Sequence, residues 1–218
     1  MSVCGKFPSK LLRCFAEREH AESFLSGHIR CMRNQHYQSI ECQNRKDPHE
    51  GTGYYLKEGL VTSALISPNI DEAVEWRKER GNVKHHVSFG KAVFLLCTSC
   101  LDADINFITK KFGKYVVEIN EPETLAHDID SELKKSGQHF LIDGQNVSYT
   151  RGGIFPSDAN EALLTDLAYK QKNSTFSDER EFRFCLIGMD PKKHLTHLCD
   201  LDILEVNLAV RPRYLRLS

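Results

Sequence analysis

The sequence predicts an α+β domain of short, mostly antiparallel strands flanked by helices. Three observations predict it. Apolar runs of four to six residues, such as Ala92 to Cys97, recur along the chain at strand length. Asp143-Gly144 sits between two such runs, a two-residue hairpin signal. The helical segments do not alternate strictly with the strands, as a doubly wound α/β sheet would require. Neither G-x-G-x-x-G nor G-x-x-x-x-G-K-[ST] occurs, which speaks against Rossmann and P-loop nucleotide sites.

Taken in order, Leu11 to Phe15 reads as a strand. Ala16 to Ser26 reads as a helix with Ala21, Phe24 and Leu25 inward and Gly27 beyond its end. Ile29 to Met32 is a second strand, Asn34 to Glu41 a helical turn, and Cys42 to Gly53 a charged loop. Ser67-Pro68-Asn69, acidic Asp71 and Glu72, basic Lys78 and Arg80, and then Gly81 have the polarity of a helix. Ala92 to Cys97 follows as a central strand. Asp104 to Lys111 is a helix closed by Gly113, Tyr115 to Ile119 a strand, and Glu121 to Lys135 a helix closed by Gly137. His139 to Ile142 and Gln145 to Tyr149 form the two arms of the hairpin. Ser157 caps a helix to Tyr169, and Phe182 to Ile187 and Ile203 to Val210 close the chain as strands.

Composition narrows the class. Of 218 residues, 40% are apolar, and 29 Lys and Arg stand against 30 Asp and Glu. A chain of this size can bury roughly 70% of its extended surface, enough for one core without staples. One domain over residues 1–218 is therefore expected. The balance of charge excludes a uniformly basic nucleic-acid binder. No apolar run has the length of a bilayer span, and Met1 to Lys10 lacks the apolar core of a signal peptide, so the expectation is a cytoplasmic protein away from membranes. The eight cysteines are too sparse for a disulfide scaffold. Cys97-Thr98-Ser99-Cys100 has no second pair to complete a zinc site, and His194, His197, Cys199 and Asp200 have no ligand spacing, so no metal is expected.

Two segments carry candidate chemistry. From Ser174 to Phe184 a charged loop enters a strand with Phe182, Phe184 and Leu186 on one face and Glu181, Arg183 and Cys185 on the other. If the strand has begun by Glu179, then Glu179 and Glu181 share a face at roughly 6.7 Å. Such carboxylates can divide the work of holding a sugar hydroxyl and orienting a nucleophile. The plainer alternative is an edge strand guarded by charge. The second segment, Ile29 to Gly51, joins a strand, the aromatic turn at Tyr37 and a charged loop. There Arg45, Asp47 and Glu50 could equally clasp the turn at Pro48.

The pattern Leu12-Arg13-Cys14-Phe15, Phe24 to Ile29, then Tyr37, Glu41, Arg45-x-Asp47-x-x-Glu50-Gly51, and finally Phe176-x-x-Glu179-x-Glu181-Phe182-Arg183 resembles a family of bacterial and phage-encoded proteins of abortive-infection and phage-defence settings. In overall order it is similar to ADP-ribosyltransferases. The resemblance implies a split sheet and a transferase that consumes NAD, acting as an intracellular toxin or defence effector. It places Arg13 on the dinucleotide phosphates or ribose, with Tyr37 by the nicotinamide and Arg45 beside them on the cofactor side. Glu181 becomes the catalytic carboxylate, Glu179 the residue that positions the acceptor, and Lys170 to Asp178 the loop that reads the target. The Ser-Thr-Ser strand of many such enzymes has no clear counterpart; Ser88 and Ser148 are the loose matches. The acceptor is a nucleic acid (RNA-binding through Lys170, Lys172, Arg180 and Arg183) or a protein, with an antitoxin as a further partner. The rival expectation is a non-catalytic interaction or immunity protein, antitoxin-like, of a phage-defence system.

Overall fold

A computed structural model describes residues 3–33, 52–57, 75–79, 82–88, 93–149, 172, 174–189 and 201–218, the three stretches between 52 and 88 by backbone alone. The expected helical turn at 34–41, the charged loop at 42–51 and the expected helix at 157–169 lie outside them. The protein is α+β and rich in strand.

Nine strands make the larger sheet. They are β1 (Val3–Gly5), β2 (Leu11–Phe15), β3 (His28–Arg33), β7 (Val93–Cys100), β8 (Tyr115–Ile119), β9 (Phe140–Asn146), β10 (Glu181–Gly188), β11 (Ile203–Asn207) and β12 (Leu215–Leu217). Their order is β1-β9-β10-β7-β2-β8-β12, every pairing antiparallel except β1 with β9. A separate three-stranded sheet runs β4 (Thr52–Lys57), β6 (Asn82–Ser88), β5 (Glu75–Glu79).

The larger sheet forks at β7. One edge of β7 pairs with β10 over its length. The other pairs with β2 at Ser99 and Cys100 and with β3 at Phe94 and Leu95. Between those contacts the edge is open, because α1 (Arg18–Leu25) carries the chain from β2 to β3 and drives them apart.

Helices cover both faces. On one side α1 and α3 (Pro122–Lys135) bury Ala21, Phe24, Leu125, Ala126, Ile129 and Leu133 against Phe94, Leu96, Phe182 and Phe184. The spacing of the α3 residues is a single helical stripe, and each large side chain contributes roughly 1.5–3 kcal/mol by leaving water. Pro122 in the first turn and Lys134 and Lys135 in the last set its polarity. On the opposite side α2 (Ile105–Phe112) seats Ile108 against Leu12 and Val116. Asp104 caps α2 by accepting from the amides of Asn106 and Phe107 at 2.8 and 3.4 Å.

Three expectations are corrected. Asp143-Gly144 is no hairpin turn: β9 runs straight through it, with Asp143 opposite Cys185 and Gly144 opposite Phe184. Glycine is needed there because a Cβ on Gly144 would run into the ring of Phe7, which packs on Phe182 and Phe184 at 5.8 Å each. The helix expected to end at Gly81 is instead β5 over its last turn, where Trp76 faces His85 and Glu79 faces Asn82. Cross-strand pairing overrides the helix-like end signals. The last long strand stops at Asn207; the Leu208 amide still donates to the Gly27 carbonyl, next in register with β3, and the chain bends at 209–210.

Candidate functional site

β10 is a central strand, paired on both edges and buried along its whole length, so the edge-strand reading of its charges does not apply. Charged side chains on such a strand leave water only with partners. Glu181 and Arg183 are 5% and 1% exposed and lie on the α2 side of the sheet. As i and i+2 neighbours they meet on one face, and Arg183 grips Glu181 from Nε to Oε1 at 2.8 Å and from Nη2 to Oε2 at 3.3 Å.

Glu179 reaches the same place by another route. It ends a short 3-10 helix, Ser174–Glu179, rather than extending the strand. Arg180 then takes φ of 44°, the left-handed region unusual for a residue with a Cβ. The Arg180 carbonyl accepts from the Cys100 amide at 2.8 Å, which holds the turn in place. The kink swings the Glu179 carboxylate back beside Glu181, and one ammonium bridges the two. Lys172 Nζ lies 2.8 Å from Glu179 Oε2 and 2.6 Å from Glu181 Oε2. Lys111, from the last turn of α2, completes the group at 2.7 Å from Glu179 Oε1. The Phe176 ring lies between both lysines, 5.1 and 5.3 Å from their ammonium nitrogens.

Three cations, two of them buried, thus surround two buried carboxylates. Burial alone would raise the Glu181 carboxyl, but Arg183 and Lys172, with hydrogen bonds from Arg183 and the Cys97 thiol, hold it well below the usual carboxylate range. Burial, and next the Glu181 carboxylate, push the Cys97 thiol up. Tyr149 closes the rim, its phenol oxygen accepting from the Glu181 amide at 2.7 Å, and burial raises that phenol as well.

Arg13 is elsewhere. Leu12 stands opposite Ser99, and Ser99 opposite Glu181, so these three share a face and Arg13 points to the other. Its guanidinium fills the fork, where Nη1 donates to the unpaired Cys97 carbonyl at 2.7 Å and the group lies 5.3 Å from the Phe15 and 5.4 Å from the Phe24 ring centroid. The sheet therefore unites Glu179 with Glu181 and separates both from Arg13. Tyr37 and Arg45 lie outside the described residues, as does Lys170. Ser88 ends β6, and the Ser148 carbonyl accepts the Lys172 amide at 3.0 Å.

Lys111 and Tyr149 were not singled out as site residues from the sequence. Strand parity reveals Arg183 as a partner of Glu181, but nothing local links Lys111 to a carboxylate 68 positions away. Cys97 and Cys100 point to opposite faces of β7, Cys97 to Glu181 and Cys100 to Asn146 Oδ1 at 3.3 Å. Their C-x-x-C spacing does not gather them. His194, His197 and Cys199 fall outside the described residues. Among the described residues no helix is long and apolar enough to cross a membrane.

In comparisons with known proteins, the chain matches no family model, no curated protein and no solved structure.

Proposed function

We propose that the chain is an ADP-ribosyltransferase of the toxin or phage-defence kind, with an ADP-ribosyltransferase-like split sheet and its reacting centre at the mouth of β10. The observation that carries this reading is the state of Glu181: a buried carboxylate kept ionised beside a second carboxylate. A group so acidic is poorly suited to be a general base near neutral pH. It is suited to accept a hydrogen bond from a ribose hydroxyl and to stabilise positive charge on the sugar. In the proposed step the bond between ribose C1′ and the nicotinamide nitrogen breaks, and its electron pair leaves with neutral nicotinamide. The cation-like sugar is then attacked by an acceptor nucleophile, which loses its proton. Glu179 orients that acceptor. With Arg13 on the other face, Lys111, Lys172 and Arg183 are the cations nearest Glu181 for the substrate's phosphates.

The acceptor is a protein side chain or a nucleic-acid base. Of the basic residues there, Arg180 is the exposed one, so a nucleic-acid backbone would meet Arg180 rather than the buried Lys172 and Arg183.

A second reading has its own observation. Both Glu181 oxygens are already engaged within the cluster, as in a structural clasp. It makes the chain a non-catalytic interaction or immunity protein bound to an antitoxin or toxin partner. Incubation with labelled NAD and cell extract separates the two. Transfer of label or release of nicotinamide by the native chain, lost in Glu181→Gln, is the expected result. Equal labelling by the variant would remove Glu181 from the mechanism. Neither labelling nor nicotinamide release in any extract would favour the binding protein.

A further inference from the structure

The fork between β2 and β3 encloses a cavity of about 430 Å³ that belongs to neither reading above. Arg13 and Phe15 from β2, His20 and Phe24 from α1, and His28 and Arg30 from β3 form its walls. Four of those six side chains are basic by type. The volume is in the range of roughly 300–1,000 Å³ usual for small-molecule sites and exceeds what one inorganic ion needs.

Arg13 is built in before any ligand arrives. The Cys97 carbonyl fixes one end of its guanidinium and the Phe15 and Phe24 rings lie against it. Its Nε is buried with no acceptor. A half-buried cation with a buried, unmet donor is costly to keep unless something compensates it, and a nearby anion does so.

Glu205 is the one carboxylate among the described residues that line the cavity. It reaches across from β11, 3.2 Å from Arg30 Nε and 3.7 Å from His28 Nε2. Arg30 and Glu205 are 45% and 50% exposed, and exposed pairs of this kind contribute little. An incoming anion can therefore take Arg30 from Glu205 at small cost. Among the described lining residues two arginines stand against this one acid, an excess of positive charge.

We propose that the fork cavity binds a small organic oxyanion, a phosphate or a carboxylate. Its charged end lies between Arg13 and Arg30, where guanidinium forks match oxyanion geometry, and its apolar body rests on Phe15, Phe24 and Met32. Glu205 tunes the site by competing for Arg30. The proposal does not depend on Glu181.

Calorimetric titration of the full chain at low salt, with inorganic phosphate, phenyl phosphate and benzoate as probes, tests it. At least one aryl anion should bind tenfold or more tightly than inorganic phosphate, and the tighter of the two identifies the preferred oxyanion. Arg13→Gln and Arg30→Gln should each weaken it tenfold or more, and Glu205→Gln should tighten it severalfold. Arg30 and Glu205 are exposed, so their variants keep the experiment decisive even if Arg13→Gln fails to fold. No binding of either aryl anion, no loss in Arg30→Gln, or weaker binding in Glu205→Gln would overturn the proposal.

Discussion

The cluster beside β10 and the fork between β2 and β3 handle charge in opposite ways. On the α2 face, Glu179, Glu181, Lys111, Lys172 and Arg183 are nearly sealed from water and bond one another at 2.6 to 2.8 Å. At the fork, Arg30 and Glu205 are half-exposed at 3.2 Å, and Arg13 keeps an unsatisfied Nε. The first arrangement is rigid, because each charge is costly without its neighbours. The second is loose and open to exchange. A cluster that satisfies itself builds a fixed constellation, whereas a cavity that leaves a donor unmet is where a free ligand gains most.

The largest test of that contrast is Glu181→Ala. It strands Lys172 and Arg183 without their shared carboxylate, and removing one partner of a buried pair costs about 3–5 kcal/mol. Urea denaturation should show that loss as a lower midpoint. A loss no greater than that of an exposed pair would erase the distinction between cluster and fork.

Acid sharpens it next. The folded Glu181 carboxyl lies well below its unfolded value, so the unfolded chain binds more protons in between. The stability it lends is fully present above the ordinary Glu value of about 4.3 and falls away as the pH drops toward the folded value. Glu181→Gln should flatten that slope in denaturation curves between about pH 5 and 2. An unchanged slope would mean that Glu181 is not the group held ionised.

A smaller effect of opposite sign is expected at the hinge of the cluster. Arg180 holds φ of 44°, which glycine adopts freely. Its own ion pair with Asp102 is exposed and 3.3 Å long. Arg180→Gly should therefore be neutral or stabilising by up to about 1 kcal/mol in thermal melts. Marked destabilisation would show that the Arg180 side chain, and not only its backbone, supports the site. Smallest of all, Arg30→Gln at the fork should shift stability by no more than about 0.5 kcal/mol.

What was legible in the sequence follows from how local each signal is. The caps and charge polarity of α2 and α3 act within one helix, and both form where those signals lie. The run at Val93 to Cys97 is apolar because both faces of β7 are covered, a property visible in the run itself. Asp143-Gly144 misled because its glycine answers to Phe7, more than 130 positions earlier. Residues 75–79 misled because their partners are the residues of β6. The candidate site divides the same way. The proximity of Glu179 and Glu181 could be read from spacing, although a kink rather than a strand achieves it. The separation of Arg13 from Glu181 could not, since it depends on the register that aligns Leu12, Ser99 and Glu181 across β2, β7 and β10.

The position of β10 in the chain also governs when the sheet can exist at all. It joins β9 to β7, yet it is made more than 30 residues after β9 and 80 after β7. Until residues 181–188 emerge, the facing edges of β7 and β9 have no partner and remain open to strands of other chains. β1, which pairs Val3 with Ile142, is likewise fixed only across most of the chain's length. Topology of this kind folds in milliseconds to seconds rather than microseconds. Assembly is thus expected to wait for the final third of synthesis, and a ribosome-bound fragment ending before Glu181 should resist proteolysis no better than an unfolded chain.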